Sequence, residues 1–356
     1  MNTARHRRTR TLAWGALPLL LLTAALSVDH IPLADVPLTV PYAAEGPGPT
    51  VDTLGEVEGI PVVDVRAPEV DTPAGQLRMT TVSVRTNMTL PQLIGRWLTT
   101  DDTIVPAEQI FPKDATREEI EEANKAAFSQ SESAATVAAM DWLHLPVKTV
   151  IADVIKDSPA QGHIRPDDVL LQVDGKRVAK PGQAQELIAA LAPGDQVELL
   201  LERDGKEITV RPTLGENEHD PGKALLGVYM AAHPVDDIEV SYNLQDVGGP
   251  SAGMMFTLAV IDKLTPGDLT GGHVVAGTGT IDPDGTVGPI GGIVHKARAA
   301  RDAGTELFLS PSDNCAEVLS RDTGNMVVAA VDTLDDAVTA IESFAKGEEV
   351  RTCGSA

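Results

Sequence analysis

Aromatic side chains are scarce, 3% of 356 residues, so any core must be filled by Val, Leu, Ile, Ala and Met. Positive charge is thin as well. Against 52 Asp and Glu stand 28 Lys and Arg, a formal net charge of −24. Such a surface repels phosphate backbones and anionic lipid, and no nucleic-acid partner is expected. Cysteine is nearly absent. Cys315 and Cys353 are the only two, neither has a histidine neighbour, and a catalytic thiol is not indicated. A glycine-rich phosphate loop ending in Gly-Lys-Ser/Thr is missing: Lys176, Lys206 and Lys223 each follow a glycine but precede Arg177, Glu207 and Ala224. The acidic stretch Glu216, Glu218, His219 and Asp220 reads as a solvated linker, because no second ligand cluster has metal-site spacing. No cofactor and no metal are expected.

One long apolar run is present. Arg5, Arg7, Arg8 and Arg10 precede the charge-free stretch Leu12–Val28, and Asp29 follows. This reads as an export signal or a retained anchor over residues 1–30, with the bulk of the chain outside the cytoplasm. The length is at the lower edge of what a membrane helix needs. In an oxidising compartment Cys315 and Cys353 are expected to form one disulfide.

The remaining length suits two or three domains. Pro32, Pro37, Pro41, Pro47 and Pro49 predict an extended, non-helical stalk within an N-terminal structural region, residues 31–140. Gln76–Thr86 is rich in β-branched residues and predicts a strand. Thr116-Arg117-Glu118-Glu119 is a capping box that would start a helix, interrupted over Ser129–Ser133. Residues 141–214 have a different rhythm. Val147–Ile155 and Val169–Val173 predict strands, Gln183–Leu191 a helix, and Gln196–Glu202 with Glu207–Arg211 a hairpin around Asp204-Gly205.

This order, with Ser158-Pro159-Ala160 and the Asp168-to-Gly175 wording DVLLQVDG, resembles a PDZ domain. The resemblance implies a fold that takes an extended peptide as an added strand. The carboxylate-binding glycine loop of that family should precede Val147, where this chain has Trp142-Leu143-His144-Leu145-Pro146.

Residues 225–345 carry the chemistry. Ser251 stands in Gly248-Gly249-Pro250-Ser251-Ala252-Gly253, ahead of the apolar run Met254–Ile261. Backbone N–H groups at a helix start can hold an oxyanion, and Gly249, Ser251 and Ala252 are the candidates. A helix N-cap serine has the same signature. Lys296 follows Pro289-Ile290-Gly291-Gly292-Ile293-Val294-His295. An exposed lysine is charged at neutral pH, but an apolar wall can lower its pKa enough to make it a base. Taken alone it reads as a solvated helix lysine. The chain lacks Gly-x-Ser-x-Gly, so a hydrolase elbow is not indicated.

Together, VGGPSAG, the run Ala276-Gly277-Thr278-Gly279-Thr280, and VGPIGGIVHKARAARDAG resemble the proteolytic domain of Lon-type peptidases. The resemblance implies Ser251 as nucleophile, Lys296 as general base and Thr278 beside the lysine amine. It also implies a homo-oligomer. Many Lon enzymes have an acidic residue three positions before the serine, where this chain has Gly248. The whole arrangement is similar to the membrane-anchored PDZ–Lon serine peptidases. The expected fold class is an α+β multidomain protein: N-terminal membrane helix, PDZ-like β-rich domain, Lon-type α/β domain. The expected function is ATP-independent serine endopeptidase action on flexible protein segments outside the bacterial cytoplasmic membrane. The alternative is an inactive PDZ-based envelope scaffold.

Overall fold

The computed structural model describes residues 30–31, 36–37, 39–111, 117–217, 220–235, 238–244 and 248–354. The expected anchor over Leu12–Val28 and the Thr116 capping residue lie outside them. Among the described residues no helix is long and apolar enough to cross a membrane. Contacts divide the chain into two units, residues 1–49 with 81–120, and residues 50–80 with 121–356.

In the first unit a short hairpin pairs His30–Ile31 with Val36–Pro37. Tyr42–Glu45, the start of the strand Tyr42–Asp52, then pairs antiparallel with Thr103–Pro106. Between them a helix runs Leu90–Thr99, started by Pro91 and by Gln92, whose Oε1 accepts the Thr89 N–H at 2.9 Å.

The second unit holds two cores. One fills an antiparallel sheet ordered Lys206–Val210, Leu199–Arg203, Val169–Val173, Val147–Val154, Val228–Pro234. Alternating apolar residues such as Leu170, Leu199 and Leu201 face the helix Pro181–Ala189 and are fully buried. The expected hairpin forms, with Asp204 and Gly205 at positive φ as a tight two-residue turn requires. Val228–Pro234 belongs to this sheet although its sequence lies beyond residue 225. The hairpin Gly215–Glu216 with Ala224–Leu225 turns the chain back, so the strand can pair with Val147–Val154.

The other core lies under a parallel sheet. Val327–Val331, Leu307–Pro311 and Val274–Gly277 run side by side, and Gln76–Met79 pairs parallel to Val274–Gly277. The predicted strand at Gln76 is therefore part of the same sheet as the last domain. With few aromatics, Met, Leu, Val and Ala do most of the filling; Phe256 is the exception, edge-on to Phe128 at 5.7 Å. One helix runs without a break over Arg117–Trp142, so the interruption expected at Ser129–Ser133 does not occur. Its serines bond to neighbours instead of competing for the helix backbone: Ser131 Oγ donates to Pro250 O, and Ser133 Oγ accepts the Ala232 N–H, both at 3.1 Å. Cys315 and Cys353 are joined by a disulfide, as expected. The result is an α+β multidomain fold.

Candidate active site

Two helices bring the site together. The first, Gly253–Leu264, is largely apolar and buried over ten residues, which fixes its start. Gly253 must be glycine: a Cβ there would lie 2.7 Å from Ile281 Cγ2 and 2.8 Å from Ser131 Oγ. The loop ahead of it is tied on both flanks. Gly249 N donates to Asn124 O at 3.4 Å, and Ser131 holds Pro250 O from the same long helix. On the other flank Ser251 O accepts from Thr278 Oγ1 and from Gly279 N, each at 3.0 Å.

The second helix, Ile293–Asp302, begins after Gly292 in the left-handed conformation, φ 68°. Asn314 clamps the preceding turn. Its Oδ1 accepts the Ile290 N–H at 2.9 Å, and its Nδ2 donates to Ile290 O at 3.0 Å. One turn into the helix, Lys296 points inward and is 3% exposed. Ile293 and Ala297 beside it are buried in the same apolar cluster.

Lys296 Nζ lies 2.7 Å from Ser251 Oγ and 3.0 Å from Thr278 Oγ1. Thr278 is fully buried. Its hydroxyl proton is committed to Ser251 O, so its oxygen must accept from the lysine. A neutral lysine has two N–H bonds and one lone pair. With one N–H taken by Thr278, the lone pair can meet the Ser251 hydroxyl proton. Burial alone pushes the Lys296 pKa down to about 8. The structure thus brings Ser251, Lys296 and Thr278 into one hydrogen-bonded group.

The oxyanion candidates divide. The Gly249 N–H is spent on Asn124 O, and that of Ala252 or Ser251 meets no backbone acceptor among the described residues. Of the three candidates, the Ser251 and Ala252 amides are thus the ones without a backbone acceptor among the described residues. Asn124, Ser131 and Asn314 escaped the sequence reading. They lie 127, 120 and 63 residues from Ser251 by number, and no local motif marks them.

Comparison with known proteins agrees with this geometry. Residues 244–341 match the Lon protease (S16) C-terminal proteolytic domain, and residues 122–214 match the PDZ domain. The chain joins a PDZ domain to a Lon-type proteolytic domain. Among its relatives, the Lon protease of Campylobacter concisus is 38% identical over 92 residues, 25% of this chain and 11% of that protein. The Lon protease of Haemophilus influenzae is 32% identical over 130 residues, 35% of this chain and 16% of that one. A probable periplasmic serine endoprotease, DegP-like, from Pseudomonas fulva is 32% identical over 81 residues, 22% and 17% of the two chains. The chain spans less than a fifth of the length of each. The PDZ match begins at residue 122, so it includes most of the long helix Arg117–Trp142 as well as the stretch from residue 141.

Proposed function

We propose that this protein is an ATP-independent serine endopeptidase with a Ser251–Lys296 dyad. The observation that carries the reading is the 2.7 Å approach of a buried lysine amine to the Ser251 hydroxyl. In the reaction, neutral Lys296 accepts the Ser251 proton as Oγ attacks a peptide carbonyl. The N–H groups of Ser251 and Ala252 receive the oxyanion. Collapse breaks the C–N bond, and the leaving amine takes its proton from Lys296. Water then attacks the acyl-Ser251 ester and gives a proton to Lys296; the ester C–O bond breaks, the acid leaves, and Lys296 returns the proton to Ser251 Oγ. Thr278 holds the amine in place throughout.

The PDZ-like sheet would supply binding. Its edge strand Val228–Pro234 lies beside the helix Pro181–Ala189, the arrangement that accepts an added strand. Ahead of that strand stands Leu226-Gly227, with Gly227 at φ 81° and its carbonyl accepting the Ile155 N–H at 3.0 Å. Flexible loops, tails or misfolded chains are the proposed substrates. We place the protein on the outer face of a bacterial cytoplasmic membrane, held by Leu12–Val28, and working as a homo-oligomer. Hydrolysis of an unfolded model protein, abolished in both Ser251→Ala and Lys296→Ala while both variants keep the wild-type melting profile, tests the reading. Equal turnover by wild type and both variants would refute it.

A further inference from the structure

The helix Leu90–Thr99 wears its apolar side outward. Not one of its residues is buried. Leu90, Ile94, Trp97 and Leu98 follow the spacing i, i+4, i+7, i+8 and form one stripe, exposed by 51%, 45%, 68% and 68%. The polar residues are occupied on the other side: Gln92 binds the Thr89 amide, and Arg96 is ion-paired with Asp102. A solvated helix normally has the reverse arrangement, and a contiguous exposed apolar stripe marks a contact face.

Its place in the chain says which. Thr89, directly before the helix, is bridged to Thr39, and Val40 N donates to Met88 O at 2.9 Å. Only ten residues, 29–38, separate Thr39 from the end of the apolar run at Val28. The hairpin that pairs His30 with Pro37 shortens that path further. Two residues at either end and one strand spacing across allow at most about 20 Å of reach from Thr39 to the end of the apolar run. The start of the helix is thus tethered within about one leaflet's thickness of the point where the apolar run ends.

We propose that Leu90–Thr99 lies in the membrane interface, with Leu90, Ile94, Trp97 and Leu98 set into the boundary between headgroups and acyl chains. The inference rests on Leu12–Val28 being the anchor. A tryptophan on such a face is suited to that depth, about 5–10 Å below the headgroup surface. The helix itself carries no acidic residue, but the whole chain is strongly negative. Insertion is therefore driven by apolar burial, and zwitterionic lipid suffices.

The test uses the full chain with Trp14→Phe and Trp142→Phe, which leaves Trp97 as the sole tryptophan. It is reconstituted into phosphatidylcholine vesicles, some carrying lipids brominated near the headgroup and others brominated near the chain ends. The expected result is a blue shift of Trp97 emission and stronger quenching by the shallow bromines, with both effects lost in Leu98→Asp. A chain that floats with the vesicles while Trp97 emits as in water and is unquenched overturns the proposal and leaves the anchor standing. Blue-shifted but unquenched emission, with Leu98→Cys cross-linking chain to chain, assigns the face to a second copy and also overturns it. Failure to float removes the anchor and this inference together.

Discussion

A lysine kept as a base costs stability, and the sign of that cost can be measured. Burial holds the Lys296 pKa at about 8 in the folded protein, below its ordinary 10.5. At neutral pH the unfolded chain holds that proton more tightly, so folding carries a penalty that is full below about pH 8. The penalty fades as pH climbs toward 10.5. Lys296→Met fills the same space without charge. It is expected to abolish proteolysis and to raise stability at pH 7 by about 1–3 kcal/mol, with the gain shrinking toward pH 10. Denaturant melts across that range check it. For the wild type, kcat/KM on an unfolded substrate should rise with pH and level off above an apparent pKa near 8. A profile flat from pH 6 to 9 would contradict the lysine base. Asp262 offers an independent residue-scale case. Its Oδ1 accepts the Leu269 N–H at 2.9 Å, while Oδ2 is buried without a hydrogen-bond partner. Burial pushes its pKa up to about 6 from 3.8. A raised carboxyl favours folding while protonated, so stability falls as pH rises from about 4 through 6. Asp262→Asn should therefore raise the unfolding free energy at pH 7.5 by about 1–2 kcal/mol, read from denaturant melts, and give little at pH 4.

At the scale of the element, the lysine helix depends on what braces its N-terminus. Asn314 ties the turn at Ile290, and the next residue, Cys315, is bonded to Cys353 in the C-terminal tail. That tail lies along the strand Val327–Val331, with Cys353 N donating to Val328 O at 2.9 Å. The bridge closes a loop with sequence separation 38, for which chain entropy gives about 4 kcal/mol. Cys315→Ser with Cys353→Ser should lower stability by about 2–4 kcal/mol. Asn314→Ala leaves the fold and loosens the turn; kcat should fall about tenfold or more with KM little changed, since a small misplacement of the base suffices. Unchanged kcat would show that the turn holds without Asn314. These braces also mark the limit of what the sequence disclosed. Ser251, Thr278 and Lys296 were legible because their glycine-framed motifs, taken together and in order, resemble the Lon-type proteolytic domain. Asn124, Ser131 and Asn314 act through single hydrogen bonds made across the fold, and a single hydrogen bond leaves no periodicity. The serines at 129–133 even pointed the wrong way. A polar run reads as a helix break unless its acceptors, Pro250 O among them, are known.

At the scale of the molecule, the two cores of the larger unit are stitched by the chain itself. Val228–Pro234 completes the PDZ-like sheet and leads on to Glu239–Tyr242, which pairs with Val63–Arg66 under the proteolytic core. The long helix Arg117–Trp142 adds its own ties, Ser133 Oγ to the Ala232 amide and Asp141 to Lys180. Pattern reading drew the border at 214–225 because the acidic stretch Glu216–Asp220 reads as a solvated linker, and a strand from residue 76 cannot announce its partner at 274. The physical consequence is coupling. Leu201 is fully buried in the PDZ-like core, far in sequence from Ser251. Leu201→Ala should cost about 2–5 kcal/mol. If the stitching transmits that loss, unfolding stays a single transition at a lower midpoint, and hydrolysis of a peptide too short to reach the PDZ-like edge falls with it at temperatures near that midpoint. Calorimetry resolving two separate peaks, with short-peptide turnover untouched, would mean that the cores fold independently and that the shared strand is only a connector.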